Sequence, residues 1–407
     1  MKKVLTALCC ALAVACSAAL FAACDDGTTP AHEHTWDNGT VTQEATCTED
    51  GVRTFRCTGC DETKTEPIDA LGHDWGNAVV TEAATYTRPG KGVETCSRCG
   101  ETRDTVIEAV AYTADATVEA GDSIQDAIDA ADAGDVIVVE AGTYAEQLVI
   151  GKDVTIIGEG EVVIAGPADY TTIESADKLA VDTLGLSGYS ALVLVEDADV
   201  TLENVTVRGD KTKASAVQAL THTTAYVGVA AVNASVTLNC VDIADITYTD
   251  HLVGMQNGFA VYGVAGEENC KLTVRYSTLT GFNKAAAVVR AGVSSFVFEG
   301  NTVTGAGEQG QIAQNGVQVH CESVITGNTF EDLMYAPDPT NADAHGSWAV
   351  LSYAEDEDAV TVTGNAFSAC DNGVYAAVNG NTVCEDNTFA DMYEEGEDYY
   401  EEPAVAA

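Results

Sequence analysis

An all-β solenoid is the fold class that this 407-residue chain predicts, on three observations. An eight-residue phrase recurs seven times: VTLENVTV (200–207), VTLNCVDI (236–243), LTVRYSTL (272–279), FVFEGNTV (296–303), SVITGNTF (323–330), VTVTGNAF (360–367) and TVCEDNTF (382–389). Its third and eighth positions are apolar throughout, from Leu202 and Val207 to Cys384 and Phe389. Copies stand 22 to 37 residues apart, the length of one coil of chain. A short strand that can bury its apolar row only against the next copy is a stacking unit, so the copies form one continuous core.

The elements follow in chain order. Ser123 and Asp126 have the spacing of a capping box, and Ile124, Ala127, Ile128 and Ala131 then make one apolar helical face. Gly134 ends this helix and Val136–Val139 opens a strand. Such a helix is the lid that a solenoid needs over its first coil. Each coil also carries a second strand, introduced in several copies by a turn pair tolerant of positive φ: Asn257-Gly258, Asn315-Gly316 and Asn372-Gly373. Asn301, Asn328, Asn365 and Asn387 share one position of the phrase and are expected to stack as an asparagine ladder inside a turn. Cys240, Cys270, Cys321, Cys370 and Cys384 lie in or beside the coils and read as small buried hydrophobes. Nine or ten coils at about 4.8 Å each give a rod on the order of 45 Å long.

The segments SIQDAI (123–128), GDVIVV (134–139) and GTYAE (142–146) resemble the opening of the pectin-lyase-like superfamily of right-handed parallel β-helices. The resemblance covers roughly residues 115–392. It implies a right-handed, single-stranded parallel β-helix, in a superfamily of pectate lyases, polygalacturonases, pectinesterases and surface proteins of unassigned activity. Fold alone does not settle function. The Asp pairs and Gly-His-Gly of polygalacturonases are absent, with Ala344-His345-Gly346 a partial echo. The Arg-Pro-containing segments of pectate lyases do not appear. The Asp-Phe-Ile-Phe-Gly stretch of pectinesterases has no counterpart, although Gly142–Glu146 is shared. Pectin chemistry of those kinds is therefore disfavoured, and no catalytic residue is assigned.

The chain opens as an export signal. Lys2 and Lys3 precede an uncharged stretch, and Leu20-Phe21-Ala22-Ala23-Cys24 resembles the lipobox of bacterial lipoproteins, with Cys24 the lipidated residue. An uncleaved membrane helix is the alternative. Cleavage after residue 23 removes two lysines and no acid, leaving 16 basic against 64 acidic residues, a formal charge of −48. Such a surface repels nucleic acid and anionic lipid and suits Ca²⁺, whose ligands are oxygens.

Residues 34–72 and 73–112 form a second repeat with a period of 39, after a linker at 24–33. His34-Thr35-Trp36 returns as His73-Asp74-Trp75, and Cys57-x2-Cys60 as Cys96-x2-Cys99. Each unit reads as a small β-rich module, too small to hold itself by apolar burial and so in need of a staple. Tyr86 and Tyr112 stand where the first unit has Cys47 and His73. Two residues lost together worked together, so Cys47, Cys57, Cys60 and His73 make a candidate Cys3His zinc site. A disulfide from Cys47 to one of the pair is the alternative, and the second unit looks incomplete as a metal site. The segment resembles the Cys-rich spacer repeats of Gram-positive surface proteins.

Function is sought where the phrase is interrupted. Alternation in the second strands points Gln318 and His320 outward. Setting Gly346 and Gly373 level with Gly316 brings Trp348 and Tyr375 level with Gln318, and Tyr262 level with His320. This outward row is an aromatic-polar strip suited to stacking on sugar rings, or a secondary core under neighbouring loops. Long insertions at 209–224, 244–257 and 331–346 leave one corner and carry Lys211, Lys213, His222, His251, Asp338, Asp343 and His345. An acidic tail follows from 393 and is expected to be partly disordered. The expectation is an exported, lipid-anchored surface protein whose head, residues 113–392, binds an extracellular polysaccharide without catalysis. A polysaccharide lyase or hydrolase with its site under the long loops is the rival, and a structural spacer or adhesin the third reading.

Overall fold

The computed structural model describes residues 32–401, apart from 168–169, 171–172, 175–187, 211–223, 248–257, 267–268, 309–312, 336–345, 355–357, 378–380 and 393–398. The export signal, Cys24 and the seven charged loop residues singled out above lie outside the described residues. The chain divides into two compact units, one holding residues up to 79 together with 93–104, the other 80–92 and everything from 105 onward.

In the smaller unit Thr40–Gln43, Gly51–Arg56 and Thr63–Ile68 form an antiparallel three-stranded sheet in sequence order. The second repeat has its strands 39 residues later, at Val79–Glu82, Gly90–Thr95 and Thr102–Ile107. Its tip belongs to the larger unit. There the Thr87 hydroxyl donates to the buried Glu203 carboxylate at 2.7 Å, the Arg88 guanidinium lies 3.9 Å from the Tyr276 ring, and the Tyr276 hydroxyl donates to the Ala83 carbonyl at 3.3 Å.

The larger unit is a parallel solenoid with three faces per coil, one more strand than the sequence reading assigned. The phrase is not one strand but two, split at its fifth position: Asp199–Glu203 and Thr206–Arg208 in the first copy, Ser323–Thr326 and Thr329–Glu331 in the fifth. Each half pairs in parallel with the same half of the next copy. All seven fifth-position residues take positive φ: Asn204, Cys240, Tyr276, Gly300, Gly327, Gly364 and Asp386, between 52° and 66°. Three glycines and an Asn and an Asp adopt this left-handed bend at little cost; Cys240 and Tyr276 do so against their intrinsic preference. The third face stacks Gly188–Glu196, Thr224–Val232, Gly258–Val264, Ala285–Val289, Asn315–Val319, Trp348–Ser352 and Asn372–Ala376 in parallel. Tyr399–Glu401, assigned to the acidic tail from the sequence, adds a further strand to this face.

Asn315-Gly316 and Asn372-Gly373 open third-face strands without turning, while Asn257 lies outside the described residues. Neither Asn315 nor Gly316 has positive φ. Gly316 is needed for close approach instead, since a Cβ there would stand 2.2 Å from the Ala349 carbonyl oxygen and 2.9 Å from the Phe330 ring.

The core lies inside the coil. Third- and eighth-position residues are buried from Leu202 to Phe367, and Phe298, Phe330, Phe367 and Phe389 form a file with centroids 6.2, 5.1 and 4.9 Å apart. Cys270, Cys321 and Cys370 are buried as expected of small hydrophobes, while Cys240 and Cys384 are half-buried. The lid is the helix Ile124–Ala130, with Ile124 and Ile128 buried; the Ser123 hydroxyl accepts from the Asp126 amide at 3.1 Å. Glu146 adds a second cap, accepting from the Ile124 amide at 2.8 Å.

The bend is held by the asparagine ladder. Asn328 Oδ1 accepts from the Asn301 amide at 2.8 Å and from Asn301 Nδ2 at 3.1 Å, while Asn328 Nδ2 donates to the Phe298 carbonyl at 2.8 Å and to Asn365 Oδ1 at 2.9 Å. Asn387 repeats this contact with Asn365, and Ser277 begins the ladder by accepting from the Val241 amide and donating its own amide to Asn301 Oδ1. Asn328→Ala leaves buried donors and acceptors on both neighbouring coils unpaired. The expected loss is about 2–4 kcal/mol of unfolding free energy in urea titrations, larger than for an exposed Asn→Ala control.

Candidate functional site

Backbone pairing defines the outer column of the third face. Tyr262, Val288, Gln318, Leu351, Tyr375 and Tyr400 are level, each paired with the next. Tyr375 is thus level with Gln318, as expected, but Trp348 and Tyr262 are not where the sequence alignment put them. Trp348 pairs with Asn372 and its amide donates to Asn315 Oδ1, three residues before the Gln318 level. Ala349, not Gly346, is opposite Gly316's coil position, because the length of the preceding insertion hides the register. Tyr262 stands level with Gln318 rather than His320.

These residues also differ in environment. Tyr262 is 3 % exposed, in a second apolar cluster on the outer face with Leu194, Ala230, Phe259 and Val288. Among the described residues its buried hydroxyl has no hydrogen-bond partner, and burial pushes its pKa up. The later rings are partly exposed and touch in sequence. His320 stacks on Tyr353 at 5.2 Å, Tyr353 meets Tyr375 at 5.5 Å, and Tyr375 meets Trp348 at 5.4 Å and Tyr400 at 5.6 Å. Tyr353 and Tyr400 were missed by the sequence reading. Tyr353 follows the end of its strand, where alternation no longer guides, and Tyr400 was assigned to the tail.

At the end of this row lies a cleft of about 270 Å³, lined by Ala291, Gly292, Val293, Ser294, His320, Cys321, Tyr353 and Asp358. His320 Nε2 is 3.0 Å from the Gln318 amide nitrogen and 3.4 Å from the Arg290 guanidinium. Both neighbours only donate, so that nitrogen must accept and the ring must be neutral. Burial, with the Arg290 charge second, holds the His320 pKa down to about 4. In the chain the three insertions fall between second- and third-face strands, Thr206–Arg208 and Thr224–Val232, Asp242–Ala244 and Gly258–Val264, and Thr329–Glu331 and Trp348–Ser352, and they lie largely outside the described residues.

In the smaller unit the four residues expected at one metal site are divided between two clusters. His32, His34, Cys57 and Cys60 form one, and Cys47, His73, Cys96 and Cys99 the other, the ligand atoms in each lying within 4.8 Å of one another. All ten cysteines among the described residues are free thiols. The Gly59 amide donates to Cys57 Sγ and the Asp74 amide to Cys96 Sγ, each at 3.4 Å. A hydrogen bond with His32, then the Gly59 amide, brings the Cys57 thiol down to about 5. Sequence reasoning missed His32, which it left in the linker, and judged the second repeat incomplete because the fourth residue of its cluster, Cys47, comes from the first.

Residues 257–405 match the family model described as the right handed beta helix region. The head is a right-handed parallel β-helix. Solved structures similar to it include the pectin methylesterase of Aspergillus niger (14 % identity, 74 % of this chain and 94 % of that one, TM-score 0.34). Others are PfbA, a surface adhesin of Streptococcus pneumoniae (10 %, 70 % and 91 %, 0.36), and the polygalacturonase of Erwinia carotovora ssp. carotovora (10 %, 73 % and 97 %, 0.32). No curated protein sequence matches the chain significantly.

The β-helix thus presents, over its last coils, a run of side-by-side rings bordered by an amide, an imidazole and a guanidinium. This arrangement can stack on a flat apolar face and hydrogen-bond its rim. Two measurements probe it. Tyr262→Phe removes only an unpaired buried hydroxyl, so unfolding free energy stays level or rises by up to about 1 kcal/mol; a clear loss would mean that the hydroxyl has a partner. His320 binds a proton in the folded protein only near pH 4, whereas the unfolded ring binds one below about 6.5. Stability present above pH 6.5 is therefore lost as pH falls towards 4. His320→Gln removes that part of the slope in urea titrations from pH 4 to 7, and an NMR midpoint near 6.5 for His320 would contradict the assignment.

Proposed function

We propose that this is an exported, lipid-anchored surface protein, held through Cys24, whose β-helix binds an extracellular polysaccharide on the row His320, Tyr353, Tyr375, Trp348 and Tyr400. The observation that carries the reading is the continuity of partly exposed rings across neighbouring coils. Coils repeat every ~4.8 Å, so a rigid file of rings meets the C–H faces of successive sugars without ordering the surface on binding. Gln318, His320 and Arg290 supply the polar edge that hydroxyl groups require. The formal charge of −46 for the whole chain favours neutral or cationic glycans over polyanionic ones, unless Ca²⁺ screens the approach.

The test is a glycan array probed with the full chain, followed by product analysis of every bound glycan. Binding without new chain ends is expected. Tyr375→Ala and Trp348→Ala should each weaken it about tenfold, the size of a ring contact worth roughly 1.4 kcal/mol. Tyr262→Phe, buried away from the row, should bind as the parent does. New reducing ends or unsaturated products would replace this reading with a hydrolase or lyase. Binding untouched by either ring deletion would remove the row from the site.

A further inference from the structure

The two Cys/His clusters share one plan at a spacing of 39 residues. In each, a histidine turns Nδ1 to the second cysteine of a Cys-x2-Cys pair: His34 to Cys60 and His73 to Cys99, both at 3.5 Å. The same rings turn Nε2 to a carboxylate, His34 to Glu62 at 3.2 Å and His73 to Glu101 at 3.6 Å. A carboxylate behind the imidazole is the usual outer partner of a metal-binding histidine, fixing its tautomer and orientation. Trp36 and Trp75 stack on the two rings, each 21° from parallel.

The distances suit zinc. With Zn–S about 2.3 Å and Zn–N about 2.05 Å, a tetrahedral site has S···N edges of about 3.6 Å and S···S edges of about 3.8 Å. His32 Nε2 to Cys57 Sγ is 3.4 Å, and Cys47 Sγ to Cys96 Sγ is 3.9 Å. A disulfide would bring the sulfurs to about 2.0 Å.

We propose that the smaller unit binds two zinc ions, at His32, His34, Cys57 and Cys60 and at Cys47, His73, Cys96 and Cys99, and that the second ion cross-links the two repeats. Each repeat supplies three ligands, its leading histidine and its Cys-x2-Cys pair. The fourth comes from the chain that precedes it. For the second repeat that ligand is Cys47 of the first; for the first repeat, with no repeat before it, His32 serves. The position matching His32 in the second repeat is Leu71, which is exposed. The position matching Cys47 is Tyr86, whose ring meets Tyr112 edge-on at 5.8 Å, and Tyr112 matches His73. Cys47 and His73 fall in one cluster. Their counterparts are absent because no third repeat follows to share them. The donor set of thiolates and imidazoles, closed to four, selects Zn²⁺ over the oxygen-seeking ions.

The full chain, purified under reducing conditions, should carry two zinc ions by elemental analysis. Cobalt(II) substitution should give charge-transfer absorption from five thiolates, two at one site and three at the other. Cys47→Ser should lower the metal content from two to one and the charge-transfer intensity by about three fifths. His32→Ala should remove the other ion and leave the three-thiolate spectrum. Cys47→His, which can still ligate, guards against a folding failure: two ions remain and about one fifth of the intensity goes. Cys47→Ser retaining both ions would overturn the cross-link. Metal-free protein with a two-dalton mass deficit for each cysteine pair would overturn both sites in favour of disulfides.

Discussion

Parallel, in-register pairing of one coil with the next is the interaction on which the rest of the head depends. Because the backbone of each coil bonds to the coils on either side, any position meets the same position of its neighbours about 4.8 Å away. Like must therefore stack on like. Phenylalanines file along the inside, with Phe330 and Phe367 only 10° from parallel. Asparagines file along the bend, where each amide satisfies the next. The left-handed residue at the fifth position follows from the same demand, since a bend in one coil obliges a bend in all.

Once the inside and the bends are committed to stacking, the outer face of the third strand is free to vary, and it changes along the axis. From Leu194 to Val288 its column is apolar and buried. From Gln318 onward the column is half-buried at Gln318, Tyr375 and Tyr400, with Leu351 buried between them. One face thus serves first as a second core and then as a surface, with His320 and its neutral ring near the transition. The smaller unit answers the opposite problem. Its repeats bury too little to stack by apolar contact, and clusters of thiols and imidazoles occupy the places where a core would be.

The phrase made the coil legible because its apolar and Asn positions recur whatever lies between copies. The split at the fifth position was legible in Gly300, Gly327 and Gly364, yet Tyr276 and Cys240 at the same place disguised it. Register across the third face was not legible at Trp348. The long insertion at 331–346 precedes it, and a glycine at 346 mimicked the one at 316. Tyr375, reached without such an insertion, was placed at its true level. In the smaller unit the period of 39 showed which residues correspond, but correspondence is not contact.

By itself, the sequence determined the repeating unit, the lid, the buried file and the types of side chain available for chemistry, since these depend on local periodicity and composition. Only the tertiary structure decided which rings lie side by side, which tyrosine is sealed in a second core, and that Cys47 belongs with Cys96 and Cys99 rather than with Cys57 and Cys60. Those outcomes depend on distances between segments far apart in the chain, set by backbone pairing and by the packing of one repeat on the next.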